Sequence, residues 1–253
     1  MTWLGKVVGG TIGFALGGPI GAVAGAVFGH MFDGQEGQRE PAVAGSSSMS
    51  KGETSQLVFF TACFSMLGKL VKADGSVTEP EINSIRQFMT NDLQLNAQSR
   101  RVAEEIFQAA LNNPQSFDDF ASQFYTYFHD QSQFLELMMD ILIRVSVADG
   151  RLHESEERLI RSAAGIFRFS DQTLQKILSG YAPQSDKYYQ ILGCSRMDSD
   201  DTLKTRYRKL VRDFHPDTIA SKGLPDEFVT FAHDKFREIQ EAYEIVKKER
   251  GIV

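Results

Sequence analysis

The sequence predicts an all-α protein in three parts: an N-terminal transmembrane glycine-zipper helix, a helical bundle and a C-terminal helical hairpin. Three observations carry that expectation. Apolar residues recur at helical spacing along Leu57, Phe60, Phe64, Leu67 and Val71, along Phe134, Leu137, Met138, Ile141, Leu142 and Val145, and along Leu203, Tyr207, Leu210 and Phe214. Strand-type alternation is scarce between these runs. The 23 residues between Lys6 and His30 hold no ionisable side chain. The boundaries that follow are 1–34 for the anchor, 35–54 for a linker, 55–182 for the bundle and 183–253 for the C-terminal domain. A chain of 253 residues is long enough to bury a sizeable core.

A helix over the uncharged stretch would span roughly 34 Å, about the hydrocarbon thickness of a bilayer. Gly5, Gly9, Gly13, Gly17, Gly21, Gly25 and Gly29 fall at every fourth position, leaving one helix face without side chains. Such a face lets a second helix approach closely, so Gly9, Gly13, Gly17, Gly21 and Gly25 are the expected contacts of a homodimer within the membrane. Trp3 and Lys6 would sit at one interface and His30 and Asp33 at the other. Three other readings stand beside this one. Ala42-Val43-Ala44 has the form of a signal-peptide cleavage site, although it lies far downstream of the apolar run. Gly17-Gly18-Pro19 is a place where the helix can break into a hairpin or re-entrant loop. The segment can also be a helix buried in a soluble domain. Residues 35–54, with Gln, Gly, Pro and the run Ser46-Ser47-Ser48, have linker composition.

The bundle region reads as consecutive amphipathic helices, with Phe107, Leu111, Phe117, Phe120, Phe124 and Phe128 suited to a shared core. It contains an internal repeat. Lys72-Ala73-Asp74-Gly75-Ser76-Val77-Thr78-Glu79-Pro80-Glu81 matches Val147-Ala148-Asp149-Gly150-Arg151-Leu152-His153-Glu154-Ser155-Glu156 at an offset of 75 residues. Each copy joins the end of one helix to the start of the next. Gly75 and Gly150 permit a left-handed helix end, Thr78 with Glu81 fits a capping box, and Pro80 suits a first turn. The region resembles the TerB-like helical domain of tellurite-resistance proteins. That resemblance implies a possible divalent-metal site, to which Asp74, Glu81, Asp149 and Glu156 would bring hard oxygen ligands. Capping and turn formation explain the same residues without a metal.

The C-terminal domain centres on Tyr207-Arg208-Lys209-Leu210-Val211-Arg212-Asp213-Phe214-His215-Pro216-Asp217. Ser199 is placed to cap a helix whose first turn holds Asp200 and Asp201, favourable against the positive end of the dipole. Lys204, Arg206, Arg208, Lys209 and Arg212 fill the faces away from the apolar stripe. The helix must stop before Pro216, so His215 and Asp217 are expected to project from a turn. Tyr188-Tyr189-Gln190-Ile191-Leu192-Gly193 precedes this stretch and Lys235-Phe236-Arg237-Glu238-Ile239-Gln240-Glu241-Ala242-Tyr243-Glu244 follows it. These segments, in this order, resemble the J-domain. The resemblance implies a partner, a DnaK-type chaperone whose ATP hydrolysis a J-domain stimulates.

The order of anchor, TerB-like domain and J-domain resembles the DjlA family of bacterial membrane-anchored J-proteins over essentially the full chain. Trp3-Leu4-Gly5-Lys6, Gly29-His30-Met31-Phe32-Asp33 and Ala220-Ser221-Lys222-Gly223-Leu224-Pro225 also resemble that family. Two departures stand out: Thr218 where a basic residue commonly follows the tripeptide, and a short link through Gln184 and Ser185. Because a J-domain needs a nucleotide-loaded partner, the resemblance places the C-terminal domains in the cytoplasm, with the chain in the bacterial inner membrane and a short N-terminus outside. Lys204, Arg208, Lys209 and Arg212 would meet an acidic groove on the partner, and His215, Pro216 and Asp217 would bind its domain junction.

Other classes fare worse. The net charge of -6 argues against a general nucleic-acid binder. Cys63 and Cys194 show no zinc-ribbon spacing and read as buried thiols. His215 has no nucleophile, paired carboxylate or phosphate loop beside it, so no catalytic residue is assigned and no cofactor is required. An envelope-stress or metal-response scaffold acting mainly through the TerB-like domain is the alternative function.

Overall fold

The computed structural model describes residues 16–33, 49–148, 152–170, 173–174, 177–178 and 187–252, and every regular element among them is helical. In chain order the helices are α1 (Gly18–Asp33), α2 (Lys51–Val71), α3 (Glu79–Gln87), which runs into a π turn (Phe88–Asp92), α4 (Ala97–Asn112), α5 (Phe117–Phe128), α6 (Ser132–Ser146), α7 (Glu154–Ile166), α8 (Lys187–Ile191), α9 (Asp200–Asp213), α10 (Pro216–Ser221) and α11 (Asp226–Arg250).

Helix α2 is the hub. A capping box opens it, the Glu53 N–H donating to Ser50 Oγ at 3.2 Å and the Ser50 N–H to Glu53 Oε2 at 2.9 Å. Periodicity gives α2 one apolar stripe, yet Val58, Phe59, Ala62, Cys63 and Met66 on its other faces are fully buried as well. A helix apolar all round has to be central, and α2 packs against α1, α3, α4, α5, α6 and α7. Among the described residues it is the helix long and apolar enough to cross a membrane, but 78% of its apolar window is buried within the protein. Cys63 and Cys194 are both buried free thiols, as expected.

The repeat recurs as structure. At the end of α2 the Lys72 N–H donates to Gly68 O at 3.3 Å, and at the end of α6 the Val147 N–H donates to Ile143 O at 3.0 Å. Gly75 has φ 92°, the left-handed geometry expected after the first copy. Glu81 Oε2 accepts from the Thr78 N–H at 2.7 Å, and Glu156 Oε2 accepts from the His153 N–H at 3.1 Å, so both succeeding helices open on capping boxes. Asp149 and Gly150 lie outside the described residues.

In the C-terminal part, α8, α9 and α10 all pack on the long helix α11. Tyr207 of α9 stacks on Tyr243 of α11 with ring centroids 3.8 Å apart and planes 3° from parallel. Arg250 closes the far end: its guanidinium donates to Asp198 O at 2.7 Å, Arg196 O at 3.0 Å, Ser195 O at 3.2 Å and Tyr189 Oη at 3.0 Å, and pairs with Asp200 at 3.0 Å.

The first turns of α11 also enter the helical bundle. Phe228 is fully buried with its ring centroid 4.9 Å from Phe59, 6.0 Å from Phe60 and 6.3 Å from Phe64. Phe231 meets Phe88 at 5.9 Å and carries the Arg144 guanidinium over its face at 5.3 Å. Around the polar rim, Ser99 Oγ donates to Glu227 Oε1 at 2.9 Å. The two parts thus share one apolar core.

The continuous helix expected from Lys6 to His30 is interrupted. Gly17 and Gly18 have φ 55° and 61°, α1 starts at Gly18, and its Ile20, Val23, Ala24, Val27 and Phe28 are buried against α2, α4 and α5. Trp3, Lys6, Gly5, Gly9 and Gly13 lie outside the described residues, as do the side chains of His30 and Asp33. Of the zipper positions that are described, Gly21 is buried and Gly25 half-buried by the chain itself, while Gly17 and Gly29 are exposed.

Phe228→Ala should lower the unfolding free energy by about 3–5 kcal/mol, the usual cost of emptying a phenylalanine site in a packed core. The whole described chain from α2 to α11 should unfold in one denaturant transition. Separate transitions for the two parts, with only the C-terminal one moved by the substitution, would contradict the shared core.

Candidate functional site

Helix α9 forms because its ends and its stripe agree. Ser199 Oγ accepts from the Thr202 N–H at 3.2 Å, Asp200 and Asp201 occupy the first turn, and Arg212 lies in the last. Leu203 and Phe214 are buried, with Tyr207 and Leu210 half-buried between them. That leaves Arg206, Arg208, Lys209 and Arg212 exposed and Lys204 half-exposed.

The expected turn at His215 is instead a helix start. Pro216 is the first residue of α10, and His215 is its N-cap: the Asp217 N–H donates to His215 Nδ1 at 3.3 Å. Since Nδ1 accepts, the neutral ring carries its proton on Nε2. Phe236 of α11 supports the imidazole edge-on at 5.8 Å. The side chains stay accessible, at 46% exposure for His215 and 95% for Asp217. A proline preceded by a capping residue and followed by an acid is itself a helix-start signal, and it was there to be read. Arg208, Arg212 and His215 line one shallow groove of about 340 Å³, with Tyr207, Val211 and Thr218 as its remaining walls. Lys209 is not in it. One residue on from Arg208, it is turned to the neighbouring face.

That face borders a second cavity, of about 440 Å³, between the helical bundle and the C-terminal part. Its charged lining includes Glu136 and Asp140 from α6, Arg206 and Lys209 from α9, and Lys235 and Glu238 from α11. The buried Asp140 accepts from Lys235 Nζ at 3.0 Å. Burial pulls the Lys235 ammonium towards a lower pKa, but Asp140 and the more distant Glu238 and Glu136 outweigh it, so the ammonium is held charged more firmly than usual. Glu136 goes the other way for a carboxylate: burial pushes its pKa up, and Lys209, Lys235 and Arg206 only partly offset this.

The repeat acids are held by local structure. Glu81 and Glu156 are engaged in the capping boxes, and Asp74 Oδ1 accepts from the Ser76 N–H at 2.9 Å and from Ser76 Oγ at 3.0 Å. These bonds hold the Asp74 carboxyl below the usual range, with a smaller pull from His153. Among the described residues no three His, Cys, Asp or Glu side chains converge as metal ligands. Of the four acids expected to share an ion, Asp74, Glu81 and Glu156 serve separate caps and turns, and Asp149 lies outside the described residues.

With this geometry in place, the comparisons with known proteins fall along the same three segments. Residues 1–46 match the model of the Co-chaperone DjlA transmembrane domain, residues 60–179 that of the Tellurite resistance protein TerB, and residues 187–251 that of the DnaJ domain. The Co-chaperone protein DjlA of Shewanella oneidensis is 30% identical over 265 aligned positions, covering 100% of both chains. That of Aliivibrio fischeri is 31% identical, covering 98% of each. The chain belongs to the DjlA family. The DjlA of Escherichia coli is similar at 29% identity over 88% of each chain, and no solved structure matches. Within a DjlA-family chain, α8 to α11 lie in the J-domain match, the later part of α2 and α3 to α7 lie in the TerB match, and the tripeptide with its basic helix is the J-domain's exposed edge.

Asp140→Ala should destabilise the protein by about 1–3 kcal/mol, because it removes the hydrogen-bonded partner of the largely buried Lys235 ammonium, and Asp140→Leu combined with Lys235→Met should recover most of that loss in the same denaturant titration. A second expectation concerns pH. Since the folded state holds the Glu136 proton above the ordinary glutamate pKa, stability falls as pH rises through the window between that value and the raised one. Thermal melts should show this slope in the wild type and its loss in Glu136→Gln.

Proposed function

We propose that the chain is a membrane-anchored co-chaperone without chemistry of its own, which docks through its J-domain on a DnaK-type chaperone, stimulates that partner's ATP hydrolysis and recruits it to the inner membrane. The observation that carries the reading is the groove in which Arg208, Arg212 and His215 meet, open to solvent and bordered by the exposed Asp217. Cations on a rigid helix attract an acidic partner and raise the encounter rate, an effect that weakens as salt screens it. His215, Pro216 and Asp217 then act on the partner's domain junction and favour its hydrolysis-competent arrangement, which requires tighter binding to that arrangement than to the other. Lys204 continues the row of Arg208 and Arg212 one turn back along α9, and Lys209 extends the basic surface onto the face of the interdomain cavity.

Membership of the DjlA family, whose relatives carry the name co-chaperone, supports the role, and the match of residues 1–46 to a transmembrane domain supports the anchor. The placement of the C-terminal domains in the cytoplasm and of a short N-terminus outside follows from the partner's need for ATP. Pairing of two copies through Gly9, Gly13, Gly17, Gly21 and Gly25 belongs to the same proposal.

In steady-state ATPase assays with a DnaK-type chaperone, His215→Gln should abolish stimulation while lowering stability by no more than the loss of one helix cap, about 0.5–2 kcal/mol, so that the protein remains folded at the assay temperature. Arg208→Ala with Arg212→Ala should weaken apparent affinity about tenfold or more and flatten its dependence on salt. Equal stimulation by wild type and His215→Gln would refute the docking mechanism.

A further inference from the structure

Helix α1 is received by the helical bundle in an unusually specific way. Its apolar side chains Ile20, Val23, Ala24, Val27 and Phe28 are buried in the groove made by α2, α4 and α5. Its entry is read by one residue. Gln123 of α5 accepts from the Ile20 N–H through Oε1 at 2.8 Å, and donates through Nε2 to Gly17 O at 2.9 Å and Leu16 O at 3.4 Å. A Cβ on Gly18 would stand 2.7 Å from Gln123 Oε1, so this seat accepts a glycine there. The first amides of a helix lack partners within it. Gln123 supplies one from a distance of more than a hundred residues in sequence and holds the chain bent ahead of the helix.

The same residues are needed elsewhere if the segment crosses a bilayer. Sixteen residues of helix reach about 24 Å, short of the roughly 30 Å of hydrocarbon, so a span requires the chain ahead of Gly17 to continue in line with α1. That straightening removes the bend Gln123 binds. The five apolar side chains cannot occupy the groove and the lipid at once. Transfer between the two costs little in apolar burial, since lipid is as apolar as a protein core. The balance is then set by smaller terms: the Gln123 hydrogen bonds and the left-handed glycines on one side, and a continuous backbone ladder on the other.

We propose that the groove between α2, α4 and α5 is a helix-binding site whose ligand is the chain's own membrane segment, and that α1 exchanges between this groove and the bilayer. The proposal rests on the anchor reading above. In the docked state Gly21 is covered by the chain itself, so glycine-mediated pairing belongs to the inserted state alone. Insertion uncovers an apolar channel of helix dimensions alongside α2.

The test uses the full chain with Ala22→Cys in a Cys63→Ala, Cys194→Ala background, reconstituted in phosphatidylethanolamine/phosphatidylglycerol vesicles and labelled with a membrane-impermeant maleimide, against total labelling after denaturation. Residue 22 faces water when α1 is docked and is shielded when it is inserted, and with the native Cys63 and Cys194 replaced it is the thiol counted in both readings. A partial labelled fraction is expected. Adding Gln123→Ala should shift the docked-to-inserted ratio about tenfold towards the shielded form. Gly18→Val, which collides with Gln123 and is tolerated in a straight helix, should shift it the same way. Retention on vesicles through an alkaline carbonate wash, with labelling indifferent to both substitutions, would overturn the exchange alone. Loss of the chain in that wash would overturn the anchor reading and the exchange with it.

Discussion

The arrangement depends on a few phenylalanines at the start of α11. Phe228 sits among Phe59, Phe60 and Phe64, and Phe231 between Phe88 and the Arg144 guanidinium. Each buried ring removes apolar surface worth about 1.5–3 kcal/mol from water, and edge-on ring pairs add roughly 0.5–1.5 kcal/mol. Because α11 is also the platform on which α8, α9 and α10 lie, those contacts fix the bearing of the J-domain relative to the rest of the molecule. The Lys235–Asp140 pair beside them adds direction: a largely buried, hydrogen-bonded ion pair tolerates one register of the two surfaces and penalises the others.

The exposed edge follows from that placement. The apolar stripe of α9 faces α11, Arg250 ties the loop before α9 to the end of α11, and what remains outward is a row of cations ending at a capped proline. The side chains that would meet a partner are thus held by residues that would not. His215 combines two uses: its Nδ1 closes the start of α10, and its other nitrogen is left for solvent or a partner.

Much of this could be read from the sequence, and the misses share a cause. The caps at Ser199 and Thr78, the repeat around Asp74 and the stripe from Leu203 to Phe214 are local patterns, and they recur in the structure. What escaped was relational. Periodicity says that Phe228 has a buried side but not that it faces α2 across the boundary between two parts. The all-round burial of α2 is invisible in one stripe. Arg208 and Lys209 are neighbours in sequence, yet they serve different surfaces, because a helix turns about 100° per residue. Gln123 and Arg250 carry no motif; a lone polar residue gains meaning only when the backbone it binds has been placed. The break at Gly17 and Gly18 was among the alternatives from the outset, since glycine permits it. The residue that holds it was not.

It is tempting to treat a J-domain as an interchangeable part. The shared core argues otherwise for this one. A graft from another protein would arrive with whatever lines the first turns of its third helix, and if those turns are polar, the hosting bundle would be left with a hollow ringed by Phe59, Phe60, Phe64 and Phe88. The boundary along which evolution or an engineer can cut this molecule therefore lies where few side chains cross, and the start of α11 is the wrong place for the knife.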